Sequence, residues 1–184
     1  MRDNKKIGHS LKGKGDNNMK KMKKLFAMLL TLAMVFGMSM TSFAAPAATA
    51  KITVKNLTAN DNTTLNLYQV VKFNDATSSW EVTDWVKNAL KSDPSLVDLT
   101  TKPAKIDYAK LAEKYLPTSP NAVKENVNTT SCDFTDLEVG AYLITASGDT
   151  TSYTVMGTGT YDYDENSNLI KPVSKEISAK GENL

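Results

Sequence analysis

Few residues of this chain are equipped for chemistry, and their scarcity decides much. Its 184 residues include one cysteine, Cys132, and one histidine, His9. A lone thiol closes no internal disulfide. Zinc and copper centres lack a donor set here, and a Ser-His or Cys-His hydrolase lacks its base if His9 belongs to a discarded leader. Cys132 stands between Ser131 and Asp133 at the start of a strand-like run, the setting of a small core or edge residue rather than a nucleophile. Asp162 to Asn168 places oxygen-bearing side chains at alternate positions, like the start of a calcium loop. Ser167 and Val173 stand where that loop needs glycine and glutamate, so a solvated hairpin turn is expected. Trp80, Trp85, Tyr108 and Tyr115 suit either a sugar-stacking platform or the packing of helices onto a sheet, and packing is favoured. Asn56, Asn62 and Asn128 match N-x-T and are read as chance. The remaining reactive groups are amines: Lys51 and Lys55 early, and Lys171, Lys175 and Lys180 late.

An export signal precedes the part of the chain that must fold. Lys20, Lys21, Lys23 and Lys24 lead into an apolar run from Leu25 to Met38, followed by Ser42-Phe43-Ala44. A basic region, an apolar stretch too short to span a bilayer and a small-residue site make a secretory signal cut before Ala45. The signal starts cleanly at Met19, so residues 1–18 read as a mis-called extension, 19–44 as the signal peptide and Ala45 as the mature start. The first 44 residues carry nine of the 22 basic and two of the 20 acidic groups, leaving 13 and 18, a net charge of −5. The mature chain therefore offers no basic surface for nucleic acid or an anionic membrane. It is long enough for one domain with a true core, expected over 45–180, with 181–184 as the start of a linker or a truncated end.

The elements that must position these groups follow from periodicity. Lys51 to Lys55 alternates polar and apolar, the mark of a half-buried strand, and Thr64 to Phe73 is a second strand rich in Leu, Val and aromatics. In that strand Leu65, Leu67, Val71 and Phe73 share one parity and Tyr68 and Val70 the other. Val82, Trp85, Val86, Ala89 and Leu90 recur with helical spacing, which predicts a helix over Thr83–Lys91 with Thr83 as N-cap. Asp107 caps a second helix over Tyr108–Leu116. Strands resume at Ser131, with further strands over 141–146, 151–156, 161–171 and 173–180. Strands, two short helices and strands again predict a mainly β antiparallel sandwich. Its expected core holds Ile52, Val54, Leu67, Val71, Leu111, Phe134, Leu137, Tyr142 and Ile144.

The run Phe134-Thr135-Asp136-Leu137-Glu138-Val139-Gly140-Ala141-Tyr142-Leu143-Ile144 has the form F-x-x-L-x-x-G-x-Y-L-I. It resembles a recurring element of Gram-positive pilins and Cna B-type domains. Ile52-Thr53-Val54 followed by Leu67-Tyr68-Gln69-Val70-Val71 resembles the opening strands of the same domain. Over Lys51 to about Lys180 the chain resembles the N-terminal domain of a sortase-assembled major pilin, a fimbrial subunit.

The resemblance implies an Ig-like, Cna B-type sandwich and a structural, non-enzymatic subunit without cofactor, secreted to the surface of a Gram-positive bacterium. It implies as partners a class C sortase, other pilin subunits and host surface ligands. In such shafts a lysine ending the N-terminal domain attacks the acyl-enzyme that the sortase forms with another subunit. Lys180 in Ile177-Ser178-Ala179-Lys180-Gly181 is the first candidate, Lys171 the second and Lys175 the third. Lys51 and Lys55 are where the resemblance would put the lysine of an internal isopeptide, although Thr145 and Ala146 occupy the place expected for its acid. No L-P-x-T-G signal follows Lys180, which reads as a truncated or shortened subunit. The alternative is a secreted carbohydrate- or protein-binding adhesin module on a similar sandwich.

Overall fold

The computed structural model describes residues 47–184. The extension over 1–18 with His9, the signal peptide and the cleavage site at Ala45 lie outside the described residues. The strands, in chain order, begin with β1 (Ala50–Lys55), β2 (Thr63–Asn74), β3 (Ser79–Val82), β4 (Val97–Asp98) and β5 (Lys105–Ile106). They continue with β6 (Ala122–Val127), β7 (Ser131–Leu137), β8 (Gly140–Ser147), β9 (Thr151–Tyr153) and β10 (Met156–Gly159). β11 (Asp162–Tyr163), β12 (Leu169–Ile170), β13 (Lys175–Ser178) and β14 (Gly181–Asn183) complete them. Two helices, α1 (Asp84–Ser92) and α2 (Tyr108–Lys114), and a 3-10 turn at Pro94–Leu96 lie between β3 and β6.

Alternation in β1 turns Ile52 and Val54 inward and Lys51 and Lys55 outward. β1 is the middle of a three-stranded sheet, antiparallel to β7 and parallel to β13. That single parallel pair arises because the chain has crossed the sandwich before β13 and re-enters running the same way as β1. The second sheet has the order β14-β9-β8-β2-β3, with β10 also pairing β8 and β6 also pairing β2. Ile52, Val54, Phe134 and Leu137 of the first sheet pack against Leu65, Leu67, Tyr142, Ile144 and Met156 of the second. The far side of the second sheet carries a separate core. There α1, α2 and the 3-10 turn bring Val86, Ala89, Leu96 and Leu111 onto Tyr68, Val70, Val71, Ala141 and Leu143. All nine expected core residues are buried.

The sequence parity of β2 breaks in its middle. Gln69 lies opposite Tyr142 and Val71 opposite Ala141, so Val70 is an extra residue, a β-bulge. The bulge moves Val71 from the face of Leu65 and Leu67 to the helix-covered face. It also frees the carbonyls of Gln69 and Val70 from the ladder. The Trp85 indole N–H donates to Gln69 O at 2.8 Å, the Thr83 hydroxyl to the same oxygen at 2.9 Å, and Thr83 N–H to Val70 O at 3.0 Å. Thr83 holds the N-cap position of α1, but its hydroxyl serves the bulge instead of the helix. The cap of α2 follows expectation: the Asp107 carboxylate accepts from Lys110 N–H at 3.0 Å.

Other departures have local causes. Val82 has helical spacing yet lies in β3, opposite Val71. β6 has an exposed, charged face that hides its strand character in sequence. The expected strand over 151–156 is split between β9 and β10, and 161–171 is a hairpin of β11 and β12 around a turn. In that turn Asp164 accepts from the backbone of Asn166 and Asn168, both at 2.8 Å, the geometry of a solvated turn. Residues 181–183, expected as the start of a linker, pair with β9 as β14.

The F-x-x-L-x-x-G-x-Y-L-I run is a corner. Gly140 is required by close approach, since a Cβ there would lie 2.2 Å from Val71 O. Its N–H donates to the buried Thr160 hydroxyl at 2.9 Å. Tyr142, buried in the sandwich core, donates its hydroxyl to Glu138 O at 2.8 Å, locking the turn to the strand. Burial pushes its phenol well above the ordinary value. Leu111→Ala should cost about 2–5 kcal/mol of unfolding free energy in denaturant titrations. Gly140→Ala should cost at least about 1–3 kcal/mol, because backbone must move. A neutral Leu111→Ala would mean the helical layer is not part of the core.

Asp93 joins the helices. Its carboxylate accepts from the Ser95 hydroxyl at 2.5 Å and from the Lys110 ammonium at 3.1 Å. The Ser95 bonds, then Lys110, hold its pKa down to about 2. A depressed carboxyl contributes stability above its unfolded pKa of about 3.9 and loses it as pH falls through the folded value. Thermal midpoints should therefore fall more steeply between about pH 4 and pH 2 in the native chain than in Asp93→Asn. Equal slopes would remove Asp93 from the acid response.

Candidate functional site

The chemistry available to this fold lies where the last strands change sheets. β13 ends beside β1, with Lys55 opposite Ser178, and β14 begins beside β9, with Gly181 opposite Tyr153. Ala179 and Lys180 form the crossing. Ala179 is buried in the sandwich core and donates its N–H to Lys55 O at 2.8 Å. Lys180 O accepts from Thr154 N–H at 3.0 Å. The Lys180 backbone is thus held from both sheets while its side chain is exposed. Beside it, a groove of about 230 Å³ runs between residues 154–157 and Ile177, Ser178 and Lys180.

The three late lysines are not equivalent. Lys171 forms an ion pair with Asp75 and lies 4.6 Å from the centre of the Phe73 ring. Lys175 opens β13 on the inward parity of Ile177, and its ammonium, with 25% of the side chain exposed, is held by Asp162. Lys180 is exposed and makes no ion pair among the described residues. Lys51 and Lys55 point away from the core, 3.8 Å from Asp133 and 2.7 Å from Glu176 respectively. The structure does not bring either amine near Thr145 or Ala146, which belong to the other sheet.

The remaining groups have packing roles. Cys132 is half-buried against the sandwich core, and burial pushes its thiol up, away from the reactive thiolate. Trp80 is flanked by Phe73 at 4.9 Å and Tyr161 at 4.4 Å, and its indole N–H donates to the Tyr163 hydroxyl at 3.1 Å. Trp85 meets the Tyr68 ring edge-on at 6.4 Å. Tyr108 and Tyr115 pack on the helix-covered core. Gly157 leaves room for the Tyr108 ring, which a Cβ would approach to 2.3 Å. Among the described residues no helix is long and apolar enough to cross a membrane.

No protein-family model matches the chain, and no curated protein matches its sequence. Solved structures with a similar arrangement do exist. The major pilin SpaA of Corynebacterium diphtheriae, described as a modular pilus assembly with stabilising isopeptide bonds, matches over 72% of this chain and 30% of its own, at 13% identity and a TM-score of 0.41. The T6 backbone pilin of serotype M6 Streptococcus pyogenes, described as a modular three-domain structure, matches over 75% of this chain and 29% of its own, at 11% identity and a TM-score of 0.46. A solution structure of the SpaA pilin in complex with a signal peptide matches over 73% of this chain and 99% of its own, at 14% identity and a TM-score of 0.42. The matched part of this chain spans under a third of the first two chains.

The lysine environments make a direct prediction. Brief acylation with a limiting amine-reactive ester at neutral pH, mapped by peptide mass spectrometry, should modify Lys180 before Lys171 and Lys175. Ion pairs with Asp75 and Asp162 tie up the latter two amines and leave them partly covered. Earlier modification of Lys175 would contradict its pairing with Asp162.

Proposed function

We propose that this chain is a structural subunit of a covalently polymerised Gram-positive pilus, exported through the signal over 19–44 and joined to a neighbour through Lys180. The observation that carries the reading is the environment of Lys180. Of the three late lysines it alone is exposed and unpaired among the described residues, and it stands on backbone held by both sheets. The corner motif, with Gly140 and Tyr142 in the roles its pattern requires, supports the same reading.

The chemistry is aminolysis. A class C sortase holds the carboxyl end of one subunit as a thioester on its own cysteine. The Lys180 ammonium, which has no lone pair to attack with, first gives a proton to a base of the enzyme. The free Nζ attacks the thioester carbonyl carbon, the C–S bond breaks and the thiolate departs. A second proton leaves the nitrogen as the amide forms, and the thiolate or the enzyme's base takes it. This chain supplies the amine and its placement; the enzyme supplies the acyl group and the base. The groove beside Lys180 provides room for a segment of a partner alongside the amine.

The test is polymerisation in cells, with a C-terminal sorting signal supplied and a class C sortase co-expressed. Lys→Arg keeps the charge and removes the nucleophile. Lys180→Arg should abolish the ladder of covalent polymers, whereas Lys171→Arg and Lys175→Arg should keep it. A ladder that persists in Lys180→Arg rejects Lys180. One that persists in the triple variant rejects this end of the domain as the point of linkage.

A further inference from the structure

The sequence around Lys180 is small on both sides, and the structure gives each small residue a reason. Ala179 fills a place in the sandwich core. Gly181 sits against β9 so closely that a Cβ would lie 2.6 Å from Thr151 Cγ2 and 3.1 Å from Tyr153 Cε1. The Tyr153 ring therefore forms the floor under the residue that follows the lysine. That ring is itself held. Its hydroxyl accepts the Thr58 N–H at 2.8 Å, and the adjoining Leu57 is buried in the core with its N–H on Thr130 O at 3.0 Å. A continuous path thus runs from the core through Leu57, Thr58 and Tyr153 to Gly181 and the lysine.

We propose that Tyr153 is a positioning residue for the Lys180 amine, its ring, tied to Thr58, fixing the bend on which the lysine stands. The inference rests on Lys180 being the acceptor amine. An exposed lysine on a loose tail would have to lose backbone freedom each time it entered an enzyme's site. With its Cα held, only the side-chain torsions remain to be searched. Loosening the bend misplaces the nucleophile without altering its chemistry, a change to which reaction rates are steeply sensitive.

The test uses the mature chain as acceptor, a class C sortase and an L-P-x-T-G peptide as acyl donor. The peptide amide formed on Lys180 is read by mass spectrometry over a range of acceptor concentrations. Backbone order at Lys180 and Gly181 is read by nitrogen-15 relaxation in the same proteins. In the native chain both residues should be rigid, with order parameters near about 0.85. Tyr153→Phe keeps the ring and should keep most of the rate. Tyr153→Leu should lower kcat/KM about ten- to a hundredfold, with order at Lys180 and Gly181 dropping toward about 0.6. Hydroxylaminolysis of the same acyl-enzyme, which needs no lysine, should be unchanged.

Tyr153→Leu at the native rate, with Lys180→Arg inactive, overturns the positioning role and leaves the acceptor reading standing. Product formed by Lys180→Arg overturns the acceptor reading instead. If Tyr153→Leu fails to fold, Gly181→Ala and the native relaxation data decide. A native order parameter below about 0.6 at Lys180 overturns the proposal, as does a Gly181→Ala chain that reacts at the native rate.

Discussion

The bulge at Val70 is the constraint on which the rest of the structure depends. β2 runs through the middle of the larger sheet and must serve two cores, the sandwich on one side and the helical layer on the other. A regular strand of its sequence would put Val71 and Leu67 on the same face. The extra residue reverses the parity at Val71 and leaves two backbone carbonyls without ladder partners. Buried carbonyls must find donors, and Thr83 and Trp85 provide them. The start of α1 is therefore fixed by the hydrogen-bond needs of the sheet. Gly140 completes the arrangement, because only a residue without a side chain passes so near Val71 O.

A buried carboxylate ties the loops at one end of the sandwich. Asp61 is 2% exposed and accepts the Thr150 N–H at 2.7 Å and the Thr150 hydroxyl at 2.6 Å. These bonds, led by the Thr150 hydroxyl, lower its pKa against the opposing effect of burial. Its other oxygen, Oδ2, lies against Gly148, where any Cβ would collide with it at 2.0 Å, and has no hydrogen-bond partner among the described residues. The loop of residues 148–150 and the turn before β2 are held as one piece. β9 therefore starts, and β14 ends, at a fixed frame, with Asn183 opposite Thr151 and the Leu184 N–H on Thr150 O.

Electrostatics then sorts the lysines. Exposed ion pairs contribute little to stability, yet they decide which amine is available. Asp75 and Asp162 engage Lys171 and Lys175, and both acids come from segments remote in sequence or across a hairpin. Lys180, on the crossing between β13 and β14, falls outside these pairs among the described residues. Among the described residues the fold thus leaves Lys180 exposed and outside the ion pairs that hold the other two.

Much of this was legible in the residues. The alternation of β1, the helical spacing of Trp85, Val86, Ala89 and Leu90, the Asp107 cap and the F-x-x-L-x-x-G-x-Y-L-I corner are local patterns, and local patterns report which face a residue presents. They specified a β sandwich with two short helices and nine of its core residues. What the tertiary structure alone decided involves partners distant in the chain. The parity switch at Val71 depends on register against β8, and the strand character of β6 on its pairing with the edge of β2. β14 is polar and three residues long, and it exists only because β9 offers an open edge. The sequence already put Lys180 ahead of Lys171 and Lys175, but that Asp75 and Asp162 pair with the other two is known only from the folded chain. A sequence records what each residue can pair with, and only the folded chain determines which of those pairings are made.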